Sequence, residues 1–186
     1  MEKIILASQS PRRRELLHLA EIPFEVIVAD TDESYPEGLS LEQSAMHIAQ
    51  NKGLAIRQKN TEGKIILAAD TIVVCEGKII GKPTDREDAI AILTNLSGNV
   101  HSVITGVFIS KGKKEIQFAD TTIVTFHKLT PEQIQYYVDT YKPYDKAGAY
   151  AIQEWIGAVG IKKIEGDFYN VMGLPVSRVR AEIFAM

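Results

Sequence analysis

The sequence predicts an α/β fold, because apolar stretches rich in β-branched residues alternate with segments that begin at helix-capping residues. One long apolar stretch, I-I-L-A-A-D-T-I-V-V at residues 65–74, contains a single charged residue, Asp70. Such a stretch is typical of an inner strand that is covered on both faces. The segments S-L-E-Q at residues 40–43 and T-P-E-Q at residues 130–133 have the capping-box pattern of a helix start.

The other elements follow from the same signals of strand composition and helix capping. We expect strands at residues 3–7, 24–29, 79–81, 100–110, 115–126 and 157–164, and a loop at residues 166–170. Further helices are expected to begin at Ser10, at the capping box T-D-R-E of residues 84–87, and at Pro175.

Length and composition limit the classes of function. The 186 residues suit one domain over residues 1–186, or one domain with two lobes about a central cleft. The net charge of −3 and the scattered Lys and Arg residues do not indicate a nucleic-acid partner. The sequence has one cysteine, Cys75, no apolar run of membrane-spanning length and no signal-peptide pattern. We therefore expect a cytoplasmic protein with no membrane partner and with Cys75 in the core.

Asp70 is the leading candidate for a catalytic or metal-binding residue. A buried ionised carboxylate is costly unless a cation, hydrogen bonds or a shifted pKa compensates for the lost hydration. A chain that keeps one inside an apolar strand therefore has a use for it. The alternative is that the strand reaches the surface at Asp70 and that the carboxylate only pairs with a neighbour.

The helix that begins at Ser10 has an unusual first turn. Pro11 follows the cap, and Arg12, Arg13 and Arg14 come next, where the positive end of the helix dipole favours acidic residues instead. A bound phosphate would explain the arginines, because free N–H groups, serine hydroxyls and guanidinium groups all bind phosphate oxygens. The alternative is that they are solvated on the outer face of the helix.

An acidic segment, D-T-D-E-S at residues 30–34, follows the strand at residues 24–29. Acids just past the carboxyl end of a strand can hold Mg²⁺, but they can equally form a solvated loop. The segment also resembles the nucleophile loop of haloacid-dehalogenase-type phosphatases, with Asp30 as the nucleophile. That family needs a later pair of acids, and no second acid follows Asp167 at a suitable spacing.

Two lysines are candidates for phosphate binding. Lys52 falls on the inward face of the helix that begins at residue 40, where it either extends to solvent or directs its ammonium group into a cleft. Residues 75–81 predict a tight hairpin with its turn at residues 76–77. In that register Lys82 lies opposite Thr71 and beside Asp70, where it would stabilise the carboxylate charge. A longer turn would change this register.

The segment D-K-A-G-A-Y-A-I-Q at residues 145–153 surrounds polar groups with small residues, as expected where backbone approaches a ligand. The amide of Gln153 can donate and accept hydrogen bonds, which suits recognition of a nucleotide base. The histidines at positions 18, 47, 101 and 127 lack zinc-type spacing, and we interpret them as structural or surface residues.

Together these segments resemble the Maf family over nearly the whole chain. The motifs are S-x-S-P-R-R at residues 8–13, A-D-T at 69–71, G-K-P at 81–83, S-G at 97–98 with His101, T-G-V at 105–107, and residues 145–153 and 166–175. The resemblance implies a cytoplasmic nucleoside triphosphate pyrophosphatase that is usually a homodimer. It also implies an elongated mixed β-sheet with flanking helices, similar to the inosine triphosphate pyrophosphatase fold.

The resemblance also implies a role for individual residues. Asp70 would accept the proton, and Glu33 with Asp70 would hold Mg²⁺ or another divalent cation. The residues that would bind substrate are Ser8, Arg13, Lys52 and Lys82. Three residues match specificity positions of the family: Arg12, Thr71 and Gln153. They resemble the residues of the branch that acts on dTTP and UTP or on modified pyrimidine nucleotides. An alternative is a nucleotide-binding regulator without essential catalysis, because the family has a historical link to septum formation.

Overall fold

A computed structural model, which describes residues 2–59 and 63–186, confirms the α/β class. The strands are β1 (Ile4–Leu6), β2 (Phe24–Val26), β3 (Ile65–Cys75), β4 (Lys78–Ile80), β5 (Val100–Lys111), β6 (Lys114–Phe126) and β7 (Ile161–Glu165). The helices are α1 (Pro11–Leu19), α2 (Leu41–Arg57), α3 (Arg86–Leu96), α4 (Pro131–Tyr141), α5 (Trp155–Gly160), α6 (Phe168–Met172) and α7 (Val176–Phe184), with a 3₁₀ turn at Ala147–Ala149. None of the helices in the described residues has the length and apolar content needed to cross a bilayer.

The strands form one mixed, seven-stranded sheet, as the family resemblance implies. Its order is β2-β1-β3-β5-β6-β7, and β4 pairs with β3 outside this path. Strand β1 is parallel to β2 and to β3, whereas β4 is antiparallel to β3 and β7 is antiparallel to β6. Every residue of β1, which lies between β2 and β3, is in the core, whereas β2 at the edge of the sheet is partly exposed.

The chain divides into two compact units. The first unit comprises residues 1–71, 104–120 and 173–186, and the second unit comprises residues 72–103 and 121–172. The candidate residues in the first unit are Ser8, Arg12, Arg13, Glu33, Lys52, Asp70 and Thr71, whereas Lys82 and Gln153 belong to the second unit. A single domain with a cleft between two lobes stays a prediction.

Two glycines allow α2 to pack closely against β5 in the first unit. A Cβ atom at Gly106 would lie 2.3 Å from the backbone carbonyl carbon of Ala45 and 2.3 Å from the backbone nitrogen of Met46. A Cβ atom at Gly53 would lie 2.2 Å from the ring of Phe108. The absence of side chains at these two positions brings the helix backbone onto the strand, and it thereby fixes the position of Lys52, the neighbour of Gly53.

The hairpin of the second unit has the predicted turn. Residues 76 and 77 both have positive φ, as a two-residue hairpin turn requires, and Val73 pairs with Ile80 in the expected register. The ladder ends at Ile80, and the carbonyl of Gly81 accepts a hydrogen bond from the Gly148 N–H at 3.1 Å. Lys82 therefore lies beyond β4, and its position beside Asp70 stays a prediction.

Two predicted segments have a different structure. The predicted strand at residues 157–164 is helical up to Gly160 and extended only from Ile161. A Cβ atom at Gly157 would lie 1.6 Å from the Ile152 carbonyl oxygen, so the chain is too tightly folded there for a strand. The predicted loop at residues 166–170 instead leads into α6, because the Asp167 carboxylate accepts the Tyr169 N–H at 2.7 Å and caps the helix.

The start of α3 is also shifted from its predicted position. Its N-cap is Asp85 rather than Thr84, since the Asp85 carboxylate accepts the Asp88 N–H at 2.8 Å. The Asp88 carboxylate in turn accepts the Thr84 N–H at 2.9 Å. The capping pattern is therefore present, one residue later than the sequence predicts.

Candidate active site

Asp70 lies on β3 directly after the buried residues Ala68 and Ala69, and its side chain is 15% exposed. The Lys52 ammonium group lies 2.8 Å from Asp70 Oδ1 and 2.7 Å from Glu33 Oε1. One partly buried cation thus links two carboxylates that are far apart in sequence. The charge of Asp70 is compensated within the first unit, as a carboxylate inside an apolar strand requires.

Lys52 comes from α2, whose capping box is formed as predicted. Ser40 Oγ accepts the Gln43 N–H at 3.2 Å, and Gln43 Oε1 accepts the Ser40 N–H at 2.9 Å. The Lys52 side chain is 18% exposed, and its ammonium group is directed to Asp70 and Glu33 instead of extending to solvent. Of the two alternatives for Lys52, the inward orientation is correct.

Arg13 is the buried member of the three arginines on α1. Ser10 caps the helix, with its Oγ accepting the Arg13 N–H at 3.5 Å. Arg12 is half-buried, and Arg14 is exposed, with its Nη2 donating to the Gln9 carbonyl at 3.2 Å. Solvation on the outer face therefore describes Arg14 but not Arg13, which is 8% exposed.

The Arg13 guanidinium makes three hydrogen bonds in the first unit. Nε donates to the Gly173 carbonyl at 2.8 Å, Nη1 to Ser8 Oγ at 3.0 Å, and Nη2 to Thr71 Oγ1 at 2.9 Å. Burial lowers the pKa of Arg13 to about 10, and the negative charge of Asp70 limits that decrease. Arg13 therefore remains a cation at neutral pH and lies within the electrostatic influence of Asp70.

Glu33 reaches this cluster from the acidic segment at residues 30–34. The neighbouring Asp32 carboxylate accepts the Ser34 hydroxyl at 2.6 Å and the Ser34 N–H at 2.9 Å, and these bonds lower the pKa of Asp32. Asp30 is exposed. Asp32 therefore stabilises its own exposed loop, whereas Glu33 contacts Lys52, and Mg²⁺ binding by this segment stays a prediction.

The donor set of this cluster suits a hard divalent cation. Within residues 2–59 and 63–186, no group of three or more His, Cys, Asp and Glu side chains is arranged as a metal site. However, the carboxylates of Glu33 and Asp70 both lie within 2.8 Å of one positively charged nitrogen. Mg²⁺ is commonly bound by one or two carboxylates together with water and substrate phosphates. The residues present therefore fit such a cation.

Comparison with known protein families shows which family this chain represents. The model of the family described as Maf-like protein matches residues 3–186. The chain belongs to the Maf-like protein family. The resemblance that the sequence motifs indicate is therefore confirmed. Neither this membership nor the exposed position of Asp30 supports the haloacid-dehalogenase alternative.

Relatives of this Maf-like chain share one name. A protein of Parabacteroides distasonis named dTTP/UTP pyrophosphatase is 48% identical over 182 residues, which cover 97% of this chain and 94% of the relative. A protein of Porphyromonas gingivalis strain W83 with the same name is 47% identical over 184 residues, covering 97% and 92%. The similarity therefore extends over almost the full length of each protein.

One solved structure has a similar fold. A HAM1 protein from Coxiella burnetii superposes with a TM-score of 0.53 and 13% sequence identity, and the match covers 100% of both chains. At this identity the likeness concerns the fold alone. It agrees with the α/β architecture that the resemblance implies for the Maf-like chain.

In the second unit, Gln153 is exposed on an anchored segment. Its neighbour Glu154 accepts a hydrogen bond from the Tyr137 hydroxyl and lies 3.6 Å from Lys146 Nζ. The Tyr137 hydroxyl also accepts the Ala151 N–H at 3.1 Å. An exposed amide on a fixed backbone can recognise a ligand, and Gln153 keeps its expected role as a prediction.

The second unit also contains a buried pair of neutral polar rings. His101 Nε2 lies 2.7 Å from the Tyr150 hydroxyl, and both rings contact Phe126. Burial lowers the pKa of His101 to about 4 and raises that of Tyr150. His101 is thus a structural residue, whereas His18 and His127 are exposed. Cys75 is buried as expected, and burial raises the pKa of its thiol.

Sequence reasoning missed two residues of the first unit. Thr105 Oγ1 lies 2.9 Å from Thr71 Oγ1, and the Gly173 carbonyl accepts from both Arg13 and, at 3.4 Å, Thr71. Both residues stand inside motifs that carry the Maf resemblance, but no local pattern connects position 105 or 173 with position 13. Only the fold brings them together.

Proposed function

We propose that this protein is a nucleoside triphosphate pyrophosphatase, which hydrolyses dTTP and UTP to the nucleoside monophosphate and pyrophosphate. The observation that carries the proposal is the cluster in which Lys52 links Asp70 to Glu33, near the Arg13 guanidinium. The shared name of relatives that are 47% and 48% identical over nearly their full length supports the choice of reaction and substrates.

Hydrolysis at the α-phosphate requires a base that takes the proton of the attacking water. We assign this role to Asp70, because it is a carboxylate held in place by a rigid inner strand and by the bond to Lys52. Its side chain is partly exposed, so water and substrate can approach it.

The departing pyrophosphate requires positive charge. Arg13 and Lys52 supply two cations in the first unit, and the Ser8 hydroxyl, which accepts from Arg13, marks the adjacent start of α1. Lys82 of the second unit is exposed and is proposed as a further phosphate contact on the family resemblance. A rigid guanidinium with several donors suits bidentate binding of phosphate oxygens.

Glu33 and Asp70 would hold the divalent cation, because their carboxylates already converge on a single positive charge. When bound, such a cation polarises the phosphates and lowers the pKa of bound water. Lys52 contacts the same two carboxylates, so its ammonium group balances their charge when the cation is not there.

Base selection is assigned to Arg12, Thr71 and Gln153. Arg12 is half-buried next to Arg13, Thr71 follows Asp70 on β3, and Gln153 is exposed in the second unit. Exchanging Arg12 and Thr71 for the residues of another branch should change the ratio of rates between pyrimidine and purine triphosphates more than the affinity for pyrophosphate. An unchanged ratio would contradict the assignment. We also infer that the protein acts in the cytoplasm as a homodimer.

A panel of nucleoside triphosphates with Mg²⁺, in which pyrophosphate and orthophosphate are quantified separately, tests this function. We expect dTTP and UTP to give equal amounts of monophosphate and pyrophosphate, at higher rates than the purine nucleotides. Orthophosphate as the first product would contradict the reaction. Tight binding of dTTP without turnover would instead support a nucleotide-binding regulator.

A further inference from the structure

Thr105 lies on β5 in the first unit, and its side chain is completely buried. Its hydroxyl oxygen is 2.9 Å from Thr71 Oγ1, which in turn accepts a hydrogen bond from Arg13 Nη2 at 2.9 Å. We propose that Thr105 is a positioning residue for the site, which orients Arg13 by holding the hydroxyl of Thr71. This inference rests on the proposed function.

The number of donors and acceptors on Thr71 explains why Thr105 matters. A threonine hydroxyl has one proton and two lone pairs. Arg13 donates to one lone pair, and the Gly173 carbonyl, which is only an acceptor, lies 3.4 Å away in position to receive the proton. In the arrangement that uses all three contacts, Thr105 donates to the second lone pair. The Thr71 hydroxyl then has a protein partner for its proton and for each lone pair, so the contribution of Thr71 to base selection would come from its methyl group and from its effect on Arg13.

The same arrangement fixes the guanidinium of Arg13. Gly173 accepts from both Arg13 Nε and Thr71, so the two side chains share one acceptor. If the Thr105 hydroxyl is removed, Thr71 can rotate to satisfy its oxygen elsewhere, and Arg13 Nη2 loses a fixed partner. A small displacement of a group that positions substrate can reduce the rate substantially.

Burial separates this role from a catalytic one. Thr105 has no exposed surface, whereas Lys52 and Asp70 remain 18% and 15% exposed. A ligand that reaches Asp70 therefore does not touch the Thr105 hydroxyl in this structure, and Thr105 acts through Thr71.

The first test compares Thr105→Val with Thr105→Ser. Valine keeps the shape but removes the hydroxyl, and we expect kcat/KM for dTTP to fall roughly five- to tenfold, the factor that corresponds to the free energy of one hydrogen bond. Serine keeps the hydroxyl and should restore kcat/KM to within about twofold of the wild-type value. A loss in Thr105→Ser but not in Thr105→Val would show that the methyl group matters instead of the hydroxyl, and equal losses in the two variants would show that the hydroxyl has no specific role. Either result would overturn the proposal.

Ser110→Ala is the matched control. Ser110 lies on the same strand and in the same unit, it is buried, and within the described residues its hydroxyl has no hydrogen-bond partner. Removing this hydroxyl should leave kcat/KM unchanged. A loss as large as that of Thr105→Val would show that any change to β5 impairs the enzyme, which would also overturn the proposal.

A double-mutant cycle and an NMR measurement test whether Thr105 acts on Arg13 through Thr71. Because Thr105 acts through Thr71, the double variant Thr71→Val with Thr105→Val should be no less active than Thr71→Val alone. The hydrogen exchange of Arg13 Nε–H, followed by NMR, should accelerate in Thr105→Val but not in Thr105→Ser. Additive losses together with unchanged exchange would contradict the proposal.

The exchange measurement does not depend on turnover. If the wild-type protein fails to hydrolyse dTTP, the proposed function is wrong, and the protection of Arg13 Nε–H still decides whether Thr105 positions this guanidinium. If dTTP is hydrolysed but Thr105→Val matches the wild-type protein in both kcat/KM and exchange, the function stands and the role of Thr105 is refuted.

Discussion

Each unit contains a polar group inside apolar surroundings, but the two differ in charge and in access to solvent. In the first unit, Lys52 forms ion pairs with Asp70 and Glu33, and these side chains remain partly or largely exposed. In the second unit, His101 and Tyr150 form a neutral hydrogen bond and are 2% and 6% exposed.

The difference shows that burial of a polar residue does not by itself indicate a catalytic role. The His101 and Tyr150 rings form a hydrogen bond with each other, pack against Phe126 and are closed to solvent, so they contribute to the core. The Lys52 cluster has charges of both signs and an open side, so a phosphate and a cation can replace some of its internal contacts. The candidate site is therefore distinguished by charged side chains that solvent and ligands can reach.

Among the variants that compare the two units, the largest expected effect follows from removing the Lys52 ammonium group. Lys52→Met leaves Asp70 and Glu33 without their common partner and removes a positive charge from the proposed phosphate site. We expect kcat for dTTP to fall roughly 10²- to 10³-fold, as for other losses of a group that stabilises developing charge. Steady-state measurement of pyrophosphate release checks this.

Lys64→Met is the control for that substitution. Lys64 forms an exposed ion pair with Glu25 in the same unit, at 2.5 Å. Exposed pairs contribute little, so the activity should stay within about twofold of the wild-type value. Equal losses of activity in the two lysine variants would contradict a specific role for the charge of Lys52.

The next effect concerns the packing that supports Lys52. Gly106→Ala would place a Cβ atom 2.3 Å from the backbone of α2, and backbone cannot move aside as a side chain can. We expect the free energy of unfolding to fall by about 3 kcal/mol or more, measured by urea denaturation.

Gly160→Ala in the second unit is the matched substitution. Its Cβ atom would lie 3.3 Å from the Leu129 side chain and 3.4 Å from Ile156 and Phe126. These side chains can shift, and alanine favours a helix over glycine, so the change should stay within about 1 kcal/mol. Equal destabilisation by the two substitutions would contradict the close approach of α2 to β5.

The smallest predicted effect is a pH dependence of stability that arises in the second unit. The pKa of His101 is about 4 in the folded protein and 6.5 as an ordinary value. Between pH 4 and pH 6.5, His101 binds a proton in the unfolded state but not in the folded state. The contribution of His101 to the free energy of unfolding is therefore fully present above pH 6.5 and is lost as the pH decreases toward 4, by at most about 3 kcal/mol. Urea denaturation at several pH values measures this loss.

His101→Gln should remove that part of the pH dependence, since glutamine does not titrate and its amide can still bond to Tyr150. The exposed His127→Gln variant should keep it. If the pH profile were the same in both variants, the acid sensitivity would have to come from groups other than His101.

Short-range patterns predicted much of this structure. The caps at Ser10, Ser40 and Thr130 and the register of the β3–β4 hairpin depend on residues a few positions apart, and the structure confirms them. The short helices α5 and α6 were missed, because their starts depend on a tight glycine turn and on the Asp167 cap rather than on apolar periodicity.

The candidate site was predictable in its residue types but not in its geometry. Asp70 was identifiable as an acid inside an apolar strand, and Lys52 as a lysine on an inward helix face. Which groups Arg13 contacts was not predictable, because Ser8, Thr71 and Gly173 come from separate parts of the chain. The role of Thr105 depends on two successive contacts, from Thr105 to Thr71 and from Thr71 to Arg13, and no single sequence motif contains all three residues.

The most direct test of the central claim is single-turnover hydrolysis of dTTP by Asp70→Asn, with Mg²⁺ and with Glu25→Gln as a control at an exposed carboxylate. If Asp70 takes the proton of the attacking water, pyrophosphate release should slow by roughly 10²- to 10⁴-fold, while the circular dichroism spectrum and the melting temperature stay close to those of the wild-type protein. Pyrophosphate release at the wild-type rate from a folded Asp70→Asn protein would contradict the account.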